Sequence, residues 1–210
     1  MIQSHTTVRN GAIHRNRLAR SEAASPGSGF LQTLLDRATA GLQAGVSQDI
    51  VDRQLDDLFG GLALLRRGSA PESWRAAIAE CRRHPLLNQL HEDPFTRRAF
   101  AKPRGYAGDA VMLDYVYGRE ELWPEPVATP LGRAIFRYTT LAPAAEGVRA
   151  RRGFMADLLD RLAETIGHPH VLSVAAGHLR EANLAAAVRR RRLGRQIGRA
   201  SCRERVLHAV

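Results

Sequence analysis

The chain has 210 residues, of which 44% are hydrophobic and 25% are charged. This is the ordinary balance of a soluble globular protein, and it excludes disorder throughout the chain. The sequence contains no run of about eighteen apolar residues and no apolar signal segment, so it predicts neither a membrane span nor secretion. We therefore expect a cytoplasmic protein without an integral membrane segment; the composition does not indicate its oligomeric state.

The net charge of +10 is concentrated at the two ends of the chain. The first twenty residues carry +4 and residues 189–210 carry +7, which leaves −1 on residues 21–188. A nucleic-acid-binding face needs basic residues clustered on a folded surface. The distribution of charge therefore argues against a nucleic-acid partner.

Cys81 and Cys202 have no second Cys or His at metal-ligand spacing, so the sequence predicts no metal site and no disulfide framework.

The first part of the chain divides into a leader and a helical domain. Residues 1–29 are polar and end in a stretch of Ser, Pro and Gly, which predicts a disordered leader. From Phe30 onward, apolar residues recur at helical spacing, and no strand pattern appears before residue 140. Residues 30–140 are therefore expected to form a helical domain. Predicted helix starts lie at Ser47, at Ser69-Ala70-Pro71-Glu72 and at Asp93-Pro94.

The most informative segment of this domain is Lys102-Pro103-Arg104-Gly105-Tyr106-Ala107-Gly108-Asp109, called here the lid segment. Its two glycines indicate a tight loop, and its last residue is expected to cap the following apolar helix. The segment is either a loop between packed helices or a lid over a polar ligand. The second interpretation rests on the tyrosines, because they combine an apolar face with a hydrogen-bonding tip. For the second interpretation, the candidate residues are Arg104, Gly105, Tyr106, Asp109 and Tyr115.

The second part of the chain begins with a long helix predicted over residues 143–166. A strand over 170–175 then runs through a turn around Gly177 into a helix over 182–188. This arrangement places backbone N–H groups where an anionic or polar ligand can bind. The predicted buried stripe of the long helix consists of Val148, Met155, Leu158, Leu159 and Leu162.

The segment Val171 to Ala182 resembles the first conserved motif of class I S-adenosylmethionine-dependent methyltransferases, in which a strand ends in a glycine-rich loop under the cofactor. With the lid segment, it resembles a bacterial subfamily that has an N-terminal helical extension. Some members of that subfamily are named for making the methyl ester of 3-hydroxypalmitic acid. The similarity covers roughly residues 30–195.

The resemblance implies an α/β fold class: a helical domain followed, over residues 141–195, by the first strand-turn-helix of a truncated Rossmann-like methyltransferase domain. As written, the chain would be mostly α. The implied cofactor is S-adenosyl-L-methionine, and the implied partner is a small-molecule or lipid-like methyl acceptor. A fatty-acid-type carboxylate would need no general base, because it is already ionised at neutral pH.

The cofactor residues that the resemblance implies lie in the turn and on the helix before the strand: Ala175, Ala176, Gly177, His178, Glu181 and Arg152. Glu181 is either a partner for the methionine amino group or a favourable charge on the helix dipole. Arg149 and Arg152 are each either a partner for the cofactor carboxylate or part of a solvated helix face. The sequence identifies no catalytic residues.

The chain departs from the superfamily pattern at two places. The pattern Gly-x-Gly-x-Gly is replaced by Ala175, Gly177 and Leu179, and Leu179 suggests a different path for the loop. Ser173 stands where an acidic residue is usual, so the methionine amino group lacks its ordinary partner.

The end of the chain carries a second resemblance. Gln196-Ile197-Gly198-Arg199-Ala200-Ser201-Cys202-Arg203-Glu204-Arg205-Val206 resembles a translated sequencing adapter, so residues 196–210 are expected to be a non-native tail. The ribose-binding acid normally lies about twenty residues after the loop, which falls inside this tail. We therefore expect the strand over 170–175 to lack a partner, and the chain to be inactive although its parent protein transfers methyl groups. The alternative is a helical protein-interaction or regulatory module with a vestigial methyltransferase start.

Overall fold

The computed structural model describes residues 29–118, 129–174, 177–199 and 206–209, and it is mostly helical. The predicted leader lies, apart from Gly29, outside the described residues. None of the helices in the described ranges is both long and apolar enough to cross a membrane. The helices are α1 (Phe30–Ala44), α2 (Gln48–Gly68), α3 (Pro71–Cys81), α4 (Leu86–Leu90), α5 (Pro94–Ala101), α6 (Ala110–Tyr117), α7 (Pro130–Leu141), α8 (Pro143–Ile166), α9 (Arg180–Leu184) and α10 (Ala186–Arg189). The strands are β1 (His170–Val174), β2 (Arg195–Arg199) and β3 (Val206–Ala209).

The largest apolar core lies among the helices before residue 140. α2 buries Val51, Leu55 and Leu58, which recur at helical spacing and pack against Leu42 of α1 and Ile135 of α7. Burial of one such side chain stabilises the fold by about 1.5–3 kcal/mol. The helical character predicted for residues 30–140 is therefore confirmed over the part of that range that the structure describes.

Local signals also place the start of α5. The Asp93 carboxylate accepts hydrogen bonds from the backbone N–H groups of Phe95, at 2.9 Å, and Thr96, at 3.0 Å. Pro94 occupies the first helical position, where no donor is lost. The predicted cap is confirmed. α4 was not predicted, because five residues are too few to show a helical period.

The predicted buried stripe of α8 is wrong in part, although the helix has the predicted bounds. Its buried side chains are Ala145, Arg152, Ala156, Leu159 and Ala163, so only Leu159 of the predicted stripe is fully buried. Ala156 and Leu159 pack against Ala185, between α9 and α10. Small side chains on this face let the two short helices approach α8 closely.

The predicted helix over residues 182–188 is divided in two at Ala185, which is extended with φ −66° and ψ 122°. The Asp160 carboxylate of α8 accepts hydrogen bonds from the N–H groups of Ala186, at 3.0 Å, and Ala187, at 2.6 Å. A side chain on another helix therefore caps α10 and favours the break.

The expectation of a strand without a partner is wrong. β1 pairs in parallel with β2, and β2 pairs with β3 in the antiparallel sense, so the strand order is β1-β2-β3. His170 lies opposite Arg195 and Val174 opposite Arg199. The physical reason is that this pairing satisfies backbone donors and acceptors of β1. Part of the predicted tail thus lies in β2 and β3, while residues 200–205 and 210 lie outside the described residues.

Candidate functional site

The lid segment forms an exposed turn. Gly105 has φ 86° and Gly108 has φ 85°, which is the left-handed region that the two glycines predicted. The Gly105 N–H donates to the Lys102 carbonyl at 2.7 Å and closes the turn. Arg104 and Tyr106 are exposed on it.

Asp109, at the end of the turn, is a buried anchor. Its side chain is 1% exposed and accepts the N–H of Met112 at 3.0 Å, so the predicted cap of α6 is confirmed. Arg98 donates to both carboxylate oxygens, from Nε at 3.0 Å and from Nη2 at 2.6 Å, and Arg104 Nε lies 3.9 Å away. Burial raises the pKa of Asp109, but the hydrogen bonds from Arg98 and Met112 and the two guanidinium charges outweigh it. The pKa therefore lies below its usual value.

α6, the helix that directly follows the lid segment, packs against the loop after β1. Gly177 has φ 59°, and a Cβ at this position would lie 2.9 Å from Leu113 Cδ1 and 3.8 Å from Ala110 Cβ. Glycine suits both the backbone conformation and the space. Two segments that are distant in sequence are therefore in direct contact.

Asp114 joins the same two segments through charged hydrogen bonds. Its carboxylate is 3% exposed; His178 Nδ1 lies 2.6 Å from Oδ2, and Arg180 Nε donates to Oδ1 at 2.7 Å. An ionised Asp114 can only accept, so this contact requires a proton on His178 Nδ1. Sequence reasoning missed Asp114 and Arg180. The available signal was that Asp114 is the single charged residue in the sequence of α6.

The departure at Leu179 is accommodated by an unusual backbone conformation. Leu179 has φ 54° and ψ 39°, in the left-handed region, at the position where the resemblance implies glycine. This conformation costs about 1–2 kcal/mol for a residue with a side chain. The side chain is buried, and its burial offsets the strain.

Two arginines of α8 also face α6. The Arg152 guanidinium lies 4.8 Å from the centroid of the Tyr117 ring. Arg149 Nη1 donates to the backbone carbonyls of Val116, at 3.3 Å, and Thr140, at 2.6 Å. Because the Arg149 side chain is largely buried and Arg152 is buried, the alternative of a solvated helix face is wrong for both residues.

The remaining predicted site residues lie in different surroundings. Tyr115 packs against Phe95 and Phe136, with ring centroids 6.5 Å and 6.0 Å away. Glu181 Oε1 lies 3.5 Å from Ser173 Oγ of β1. Ala175 and Ala176 lie outside the described residues. In the ranges that the structure describes, no group of three or more His, Cys, Asp or Glu side chains could hold a metal ion.

The structure thus places Gly177, His178 and Arg152 each in contact with α6, the helix that Asp109 caps, and leaves Arg104 and Tyr106 on the exposed turn. Comparison of the chain with protein-family models, curated proteins and solved structures finds no match.

Proposed function

We propose that this chain carries two parts of an S-adenosylmethionine-dependent methyltransferase: the helical domain and the first part of the cofactor-binding domain. The observation that carries the proposal is the contact between α6 and the loop at Gly177, made by Leu113 packing and by the Asp114 hydrogen bonds. The resemblance rests on two segments that are separate in sequence. A single ligand site would require these two segments to meet.

The order of the elements after residue 166 supports a Rossmann-like domain as part of this proposal. β1, the helices α9 and α10, and the parallel strand β2 follow one another as a β-α-β unit. In open α/β sheets, ligands bind beyond the carboxyl ends of the strands. Gly177 and His178 follow the carboxyl end of β1.

Each residue of the proposed site would have a simple task. The cofactor supplies a methyl group on a sulfonium, and its transfer needs alignment and exclusion of water. Gly177 would allow close approach of the backbone, Glu181 would hold the ammonium group, and Arg152 would attract the carboxylate. α6 would shield the site from water. The acceptor would be small or lipid-like, with a fatty-acid-type carboxylate implied by the resemblance.

The sequence of β2, Arg195–Arg199, contains no acidic residue to hold a ribose. We therefore expect this chain to bind the cofactor weakly, through its methionine half, and to give no turnover by itself.

The proposal is tested by isothermal titration of the full chain with S-adenosylhomocysteine. We expect binding that Gly177→Ala weakens by about tenfold or more, because the added methyl group strains the loop and presses on Leu113. Glu181→Gln should weaken binding severalfold without altering the fold. Gly147→Ala is the matched control, since a Cβ there meets no atom within 4 Å. A folded chain that does not bind the ligand would contradict the proposal.

One observation favours a second candidate, the helical interaction or regulatory module. Among the residues whose burial the structure describes, the largest core cluster is built from buried residues between Leu31 and Ile135, without a contribution from α8 or β1. This region therefore has a core of its own. Absence of S-adenosylhomocysteine binding by a folded chain would support this alternative.

A further inference from the structure

A cleft of about 310 Å³ lies between the first turns of α2 and the last turns of α7. Its volume is at the lower end of the range of small-molecule sites. The residues that line it belong neither to the proposed cofactor site nor to the lid segment. They are Gln48, Asp52, Arg137, Tyr138, Leu141 and Ala142.

The α2 side of the cleft presents a carboxylate that is held in place. Gln48 Nε2 donates to Asp52 Oδ1 at 2.6 Å and to the Ala134 carbonyl of α7 at 3.0 Å. No described arginine, lysine or histidine forms an ion pair with Asp52, and its Oδ2 accepts no hydrogen bond from another described residue. An ionised carboxylate can only accept hydrogen bonds, so Oδ2 is available to a cationic donor.

The α7 side of the cleft presents a guanidinium. Arg137 is exposed, and no hydrogen bond or ion pair joins its side chain to another described residue. It therefore forms no ion pair with Asp52, although both line the cleft. A guanidinium binds a carboxylate through two parallel hydrogen bonds. Two opposite charges that line one cleft without pairing with each other are complementary to a ligand that carries both charges.

The cleft also has apolar surface beside these charges. Leu141 is 48% exposed, so a ligand that covers it removes apolar surface from water. The Tyr138 ring is held by stacking on Phe59, with ring centroids 6.1 Å apart, and its hydroxyl donates to Asp56 Oδ1 at 2.7 Å. Burial, this hydrogen bond and the charges of Asp56 and Asp52 raise the pKa of Tyr138, so the phenol adds no charge to the cleft.

We propose that this cleft binds a free α-amino acid with an apolar side chain. The ammonium group would bind Asp52, the carboxylate would bind Arg137, and the side chain would lie against Leu141 and Tyr138. A free amino acid carries both charges at neutral pH, on groups attached to a single carbon. The inference concerns the helical region and does not depend on methyl transfer.

The test is isothermal titration of the full chain with L-leucine in the absence of cofactor. Asp52→Asn and Arg137→Gln should each weaken binding by about tenfold or more, because each removes one charged contact. Asp57→Asn and Arg151→Gln are the matched controls. They make the same changes of charge at exposed residues outside the lining, so they should bind as the unchanged chain does. Because the exposed Arg137 side chain has no partner among the described residues, its variant is expected to keep the fold.

Three analogues test what the cleft recognises. N-acetyl-L-leucine lacks the ammonium group, L-leucinamide lacks the carboxylate, and glycine lacks the apolar side chain. Each should bind at least about tenfold more weakly than L-leucine. The proposal would be overturned if the folded chain did not bind L-leucine, if any analogue bound as tightly, or if Arg137→Gln bound as well as its control.

A last variant separates this cleft from the proposed cofactor site, because S-adenosylhomocysteine also has an amino-acid end. Gly177→Ala should leave the binding of L-leucine unchanged, since Gly177 does not line the cleft. If Gly177→Ala weakened it, L-leucine would be bound at the loop after β1 and the inference would be wrong. Arg137→Gln should in turn leave the binding of S-adenosylhomocysteine unchanged, so failure of one proposal is distinguishable from failure of the other.

Discussion

Replacing Asp114 by leucine is expected to lower the free energy of unfolding by about 3 kcal/mol. The buried Asp114 carboxylate bonds His178 at 2.6 Å and Arg180 at 2.7 Å. Leucine would leave the Arg180 guanidinium, which is largely buried, without this anionic partner. It would also remove the polar connection between α6 and the loop after β1.

Urea unfolding of the two proteins measures this effect. The matched control is Asp157→Leu on α8, because Asp157 is exposed. Surface substitutions of this kind usually change stability by less than about 0.5 kcal/mol. Similar losses in the Asp114 and Asp157 variants would contradict the connecting role of Asp114.

Replacing Asp109 by asparagine is expected to destabilise the protein by about 2 kcal/mol at neutral pH. Asparagine can still cap α6 through its side-chain oxygen, so the capping contribution is largely retained. What is lost is the carboxylate charge that Arg98 contacts from both Nε and Nη2. The variant therefore isolates the ion pair from the cap.

The same variant has a defined pH dependence. Because the pKa of Asp109 is lowered in the folded state, its stabilising contribution is present above the unfolded pKa of about 3.9 and is lost as the pH falls through the folded value. The difference in unfolding free energy between the chain and Asp109→Asn should therefore shrink from pH 7 to about pH 3. A difference of equal size at both pH values would show that ionisation of Asp109 does not stabilise the fold.

The parts of the fold that the sequence predicts correctly depend on local interactions. α1 begins at Phe30, where apolar residues start to recur at helical spacing, and α8 spans Pro143–Ile166, with proline at its first position. Both signals act within a few residues. Asp93 and Asp109 cap the helices that directly follow them. These effects are visible in a window of about one or two helical turns.

The features that escaped prediction depend on contacts between distant segments. The break at Ala185 depends on Asp160 of another helix, and the role of Asp114 depends on two residues beyond β1. A sequence pattern shows that Asp114 is unusual in an apolar helix, but it does not identify the partner. The site was therefore harder to predict than the helices and strands, because its residues are paired through contacts between distant segments.

The pairing of β1 was not predicted for a different reason. Its partner β2 lies mostly in a segment whose resemblance to an adapter led us to expect a non-native tail. Pairing between strands uses backbone donors and acceptors, which every sequence has. The non-native origin of residues 196–210 therefore stays a prediction.

We propose that α6 and the loop after β1 form one ligand site. Amide hydrogen exchange with and without S-adenosylhomocysteine tests it most directly. Exchange should slow both in residues 110–117 and in residues 177–184, because ligand binding to the loop also stabilises the helix joined to it by Asp114. Residues 30–44 of α1 serve as an internal control and should not change. Slower exchange in the loop alone, or in neither segment, would contradict the claim.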